Sequence, residues 1–221
     1  MANDKPRNEI FVLPEARVLV VNLLERDVYK DKDTGAEGKP KYKVVLAFER
    51  SQVTGEGTIE DKMADAIALS YGDATADEWL TNRADRISPL KDGNEIAKDR
   101  EANGKDGSAS KGMIILSADS IYNKDGQEGP GGSLIYGADN QKYSPALHGD
   151  LYAGMYGRAA VTLHAYKDYP RKGDRGVKCY LSQFQKTRDG PKLAAEKSSL
   201  FAPVAGASAP AAEGVRRRRA G

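Results

Sequence analysis

One cysteine in 221 residues, Cys179, excludes an internal disulfide and agrees with a reducing compartment. Histidine is nearly as scarce. With only His148 and His164, no zinc cluster of ordinary ligand spacing can be built. There is no run of about 18 apolar residues, so a spanning helix is excluded. The first ten residues, MANDKPRNEI, lack the apolar stretch of a signal peptide, and a cytoplasmic protein is expected. Catalytic signatures are missing as well. The Gly-rich GPGGS at 129–133 has no following Lys-Ser/Thr and opens no helix, so it reads as a turn rather than a phosphate loop. No nucleophile elbow occurs. Asp27, Asp31 and Asp33 cluster in sequence, as do Asp119 and Asp125, and a two-metal nuclease would need such groups gathered on a scaffold. They read as solvated loop acids. The expectation is a protein that is not an enzyme, with no catalytic residue, no bound metal and no cofactor.

What is present is polar and loop-rich. Hydrophobic residues make up 39% and charged residues 30%, and 23 Gly with 10 Pro argue against a helical bundle. The length suits one well-buried domain with a tail. The net charge of +2 conceals an asymmetry: residues 1–150 hold 20 Lys and Arg against 27 Asp and Glu, a net of −7. Residues 151–192 hold 9 against 3, a net of +6, and 193–221 hold 5 against 2, a net of +3. Any polyanion-binding surface is therefore expected in the C-terminal third.

Phe11–Asn22 is β-branched and apolar and reads as a first strand bent at Pro14. Lys41–Phe48 alternates, with Tyr42, Val44, Leu46 and Phe48 on one face. Met63, Ile67 and Tyr71 recur at helical spacing within Glu60–Tyr71, and Gly72 stands where the helix should be capped. A second short helix around Trp79 is expected in Asp77–Arg86. The segment KDGNEIAKDREANGKDGSASKG shows no periodic apolar face and is expected to be a mobile loop. Met113–Ala118 and Leu134–Tyr136 read as short strands, and Tyr156–Tyr166 with Val177–Lys186 as a closing hairpin. From about Ala194 the chain is dominated by Ala, Pro, Ser and Gly, so a disordered tail is expected over 194–221 beyond a folded domain of 1–193. Strands with turn signals, one short helix and no βαβ alternation predict a mainly β fold: a small β-barrel or sandwich with long loop insertions.

The hairpin carries the puzzle. Alternation turns Ala159, Val161, Leu163 and Ala165 one way, with Val177, Cys179 and Leu181. Tyr156, Arg158, His164 and Tyr166 then share the other face with Lys178, Tyr180, Phe184 and Lys186. Bases stack on aromatic rings for about 1–3 kcal/mol each while cations neutralise phosphates, so rings interleaved with cations suit single-stranded nucleic acid. The competing reading buries the same rings as a second core layer under the helix or the long loop. The basic loop between the strands, with Lys167, Arg171, Lys172 and Arg175 around Tyr169, could close over a bound strand. Lys39, Lys41 and Lys43 would extend the cationic track if their strand lies alongside.

These residues also carry a likeness. Tyr152-Ala153-Gly154 ahead of a strand ending at Tyr166, then Gly176, Leu181, Phe184 and Arg188-Asp189-Gly190, resemble the single-stranded DNA-binding proteins of tailed bacteriophages. Pro89-Leu90-Lys91-Asp92-Gly93, MIILSADS and KYKVVLAFE are similar to the same family, so the likeness spans roughly residues 10–193 and is specific over the last 45 or so. It implies a divergent OB-fold, a five-stranded barrel that coats replicating or recombining phage DNA without sequence preference. Its binding role would fall on Tyr152, Tyr156, Arg158, Tyr166, Lys178, Tyr180 and Phe184. The implied partners are single-stranded DNA and replication or recombination proteins, with an oligomer left open. A phage structural or protein-interaction module is the alternative. Many single-strand binders end in an acidic tail that recruits partners; this chain ends in Arg216–Arg219, so that role is not carried over.

Overall fold

A computed structural model describes residues 9–28, 35, 37, 38, 40–81, 88–120, 135–168 and 174–193. Lys39, Tyr169, Arg171, Lys172, the GPGGS turn and the 194–221 tail lie outside the described residues. The strands are β1 (Phe11–Val12), β2 (Ala16–Asp27), β3 (Lys41–Phe48), β4 (Leu90–Asp92), β5 (Ile114–Ser120), β6 (Ile135–Tyr136), β7 (Tyr156–Lys167) and β8 (Arg175–Arg188). The helices are α1 (Ile59–Tyr71), α2 (Asp73–Thr81), α3 (Gly93–Ala102) and the single turn α4 (Pro145–His148).

Five of the strands close on themselves. β2 pairs with β3, β3 with β5, β5 with β8, β8 with β7, and β7 returns to β2. Every pairing within the ring is antiparallel except β5 with β8. This mainly β ring is the OB-like arrangement expected from the sequence. Its interior is filled by the alternating apolar positions: Val18, Val44, Leu46, Phe48, Leu116, Ala118, Val161, Leu163 and Leu181 are all buried. Pro14 falls between β1 and β2, so the first strand breaks where its sequence places the bend. β1 then pairs with β7 instead of continuing β2.

α1 packs on β7 and β8 through Met63 and Ile67, both fully buried, and Gly72 at φ 90° ends it in a backbone conformation glycine tolerates. Trp79 of α2 is buried, with the Tyr71 ring 5.4 Å from it. Both expected helices are present, and α2 begins at Asp73 rather than Asp77. The segment expected to be a mobile loop is a second departure: it holds β4 and α3. Asp92 caps α3 by accepting a hydrogen bond from Asn94 N at 2.8 Å, and only Ile96 and Ala97 supply its apolar contact. Gly93 and Gly107 then let the backbone of this segment pack closely; a Cβ on Gly107 would lie 2.6 Å from Ala97 O. A helix held by capping and glycine contacts has too few apolar residues to show a period.

The ring closes through two short seams, β2 with β7 at Ala16 and Arg17 and β5 with β8. β5 and β8 pair only at Asp119 with Tyr180 and Ser120 with Leu181. At Ile114–Leu116 the third strand against β5 is β4, not β8. Where β8 leaves β5 and before β4 takes its place, the outer wall of the ring opens.

Candidate nucleic-acid interface

That opening is a groove of about 520 Å³. Ser117 and Asp119 line it from β5, Lys178 and Tyr180 from β8, His164 and Tyr166 from β7, and Ser88 and Pro89 lie at its end. Strand parity puts these side chains there, because the inward partners Leu163, Ala165, Val177 and Cys179 are held in the core. The Lys178 ammonium sits 5.3 Å from the centre of the Tyr180 ring, and the His164 ring is 6.3 Å from the same ring. Both tyrosines are half-buried. Burial, with the Asp174 and Tyr180 side chains adding to it, pushes the Tyr166 hydroxyl above the usual phenol range.

The cations are close enough to feel each other. Burial and then the neighbouring Lys41 charge lower the Lys178 ammonium below the ordinary lysine range. Lys41 reaches Asp119 at 3.8 Å, and Lys43 is directly opposite Asp119 in the β3–β5 register. β3 lies beside β5, so Lys41 and Lys43 share the outer face with Asp119. Asp119 is the residue that sequence reasoning set aside as a loop acid. Its parity with Ser117 along β5 is the signal that would have placed it on the outer face.

Other expected site residues are brought elsewhere. Phe184 and Lys186 were expected on the outer face with Tyr180, and the structure turns both inward; Phe184 is 1% exposed and Lys186 5%. The cause is a β-bulge. Val161 pairs with Leu181 and Ala160 with Gln183, which leaves Ser182 as an extra residue in β8. One inserted residue inverts the alternation beyond it. Phe184 joins the core, while the Lys186 ammonium donates to His148 O at 2.7 Å and Asp150 O at 3.1 Å and pairs with Asp189 at 2.8 Å.

Tyr152 and Tyr156 also serve the fold. The Tyr152 hydroxyl donates toward Asp189 Oδ1 and Gly190 O, both at 3.0 Å, and accepts from Gly190 N at 3.1 Å. Arg188 lies 3.4 Å from the centre of the Tyr156 ring and donates to Glu15 at 2.9 Å, so this ring is already covered by a cation. Arg175 is tied to Glu78 at 2.7 Å and stacks over Trp79, docking α2 on β8. Lys167 is exposed at the end of β7, beside the basic loop. Arg158 is exposed and lies on the outer face as expected, but at the far end of the hairpin from the groove.

Among the described residues no group of three or more His, Cys, Asp or Glu side chains could hold a metal ion, and no helix is long and apolar enough to cross a membrane. Burial and the Asp119 charge raise the Cys179 thiol far above the usual range, which leaves it inert as a nucleophile.

The architecture has counterparts among solved structures. The single-stranded DNA-binding protein from bacteriophage Enc34, in complex with ssDNA, superposes with a TM-score of 0.50 at 12% identity, over 83% of this chain and 88% of that one. The single-stranded DNA-binding protein gp2.5 of bacteriophage T7 superposes with a TM-score of 0.50 at 16% identity, over 86% of this chain and 91% of that one. At these identities the likeness is one of fold. No curated protein matches the chain by sequence. A family model does: residues 18–202 match the ssDNA-binding protein of Enterobacter phage Enc34, and the chain belongs to that family.

Proposed function

We propose that the protein binds and protects single-stranded DNA, without sequence preference and without catalysis, during phage DNA replication or recombination in the host cytoplasm. The observation that carries the reading is the groove between β5 and β8, where Tyr166 and Tyr180 share one wall with Lys178 and face the Lys41–Asp119 pair. Stacking needs no particular base, because each base has a π-face, and the lysines need only phosphate. Membership of an ssDNA-binding family supports the same conclusion.

The proposed contacts are Tyr166, Tyr180, Lys178, Lys41, Lys43 and Lys167, together with Arg171 and Lys172 from outside the described residues. Residues 1–193 form the binding domain, and 194–221 add a basic end. A gel-shift competition between oligo-dT and a duplex of equal length tests this. Retention of labelled oligo-dT against excess duplex is expected. No shift of oligo-dT at low salt would reject the reading in favour of a structural or protein-interaction module.

A further inference from the structure

The hairpin face that begins at the groove does not end there. Its outward pairs run from His164 with Lys178, through Thr162 with Tyr180 and Ala160 with Gln183, to Arg158 with Gln185. Between the ends the outward residues of β7 are small, Ala160 and Thr162. At the far end lies a separate pocket of about 210 Å³ lined by Tyr136, Asn140, Arg158, Gln183 and Gln185. We infer that this pocket is a second subsite that takes one unstacked nucleotide of the same single strand; the inference rests on the function proposed above.

Three observations point to a built site. The bulge at Ser182 brings Gln183 out onto the same face as Arg158, and bulges are a recurrent device for re-aiming a side chain at a ligand. The Arg158 guanidinium is pre-positioned, because its Nε donates to Gln185 Oε1 at 2.7 Å while Gln185 Nε2 donates to Gly137 O at 2.9 Å. Gln185 is thus a positioning residue, tying Arg158 to the turn after β6. Finally, the lining has the chemistry of a nucleotide: a tyrosine for the base face, a guanidinium for phosphate, and amides that both donate and accept along a base edge.

Arg158 and His164 are six residues apart, about 20 Å along an extended strand. An oligonucleotide of only two or three nucleotides is too short to occupy both ends, so the inference is a statement about length. The test measures binding of oligo-dT of about 3 and about 16 nucleotides, below and at the top of the range one OB-like fold covers, to the full chain and its Arg158→Ala/Gln183→Ala variant. The variant should lose about five- to tenfold on the long oligonucleotide and about twofold or less on the short one. Its salt slope on the long one should be smaller by about one ion. Retained binding of the short oligonucleotide shows that the variant is folded and that the groove works. Equal losses at both lengths, or no loss at either, overturn the second subsite and leave the groove standing. Failure of the unaltered protein to bind either length overturns both.

Discussion

Tyr180 is half-buried, flanked by the Lys178 ammonium at 5.3 Å and by the His164 ring at 6.3 Å. Tyr180→Ala should weaken oligo-dT binding by about 1–3 kcal/mol, read by equilibrium titration, with little change in melting temperature. Asp119 pairs with Lys41 at 3.8 Å, and its negative charge should oppose a phosphate in the groove. Asp119→Asn is expected to tighten binding, and an unchanged or weaker affinity would place the strand elsewhere. Lys178 gives a pH signature. Its ammonium loses its proton at a lower pH than an ordinary lysine, about 10.4, because it is partly buried and Lys41 lies nearby. Phosphate favours the charged form, so affinity should fall as pH rises through that lowered value. Lys178→Arg should remove this alkaline loss, because a guanidinium stays charged.

At the scale of elements, the β8 bulge decides which aromatic does what. Phe184 belongs to the core cluster, so Phe184→Ala should cost about 3–5 kcal/mol in a denaturant titration. Oligo-dT affinity of the folded fraction should stay near that of the unaltered protein. A large affinity loss without destabilisation would mean that Phe184 stacks on DNA. The bulge was legible in part. Val177, Cys179 and Leu181 keep the two-residue period, and the next large apolar residue, Phe184, comes three residues on. Strict alternation carried across that step put Phe184 and Lys186 on the wrong face. The five strands of the ring, the bend at Pro14 and the end of α1 at Gly72 are plain because each leaves a local mark: alternation, proline, glycine. α3 left none, since its contacts are backbone approaches at Gly93 and Gly107. The groove was likewise hidden. The residues on its β7 and β8 walls could be named from parity, but the parting of β5 from β8 is a long-range pairing that one strand's sequence does not encode.

At the scale of the molecule, a chain of net charge +2 has little general attraction for a polyanion, so binding must rest on where the cations stand. Lys178 of the basic hairpin lines the groove, and from the acidic first 150 residues Lys41 reaches its wall at Asp119. A groove opened by a short seam, walled by two half-buried tyrosines and crossed by lysines, predicts binding that is tolerant of sequence and sensitive to salt. The measurement that tests this most directly is the affinity for oligo-dT across a series of salt concentrations, for the unaltered protein and for Lys178→Ala. The account predicts a steep linear fall of log K with log salt, and a slope shallower by about one in the variant. A flat dependence in the unaltered protein, or the same slope in both, would contradict it.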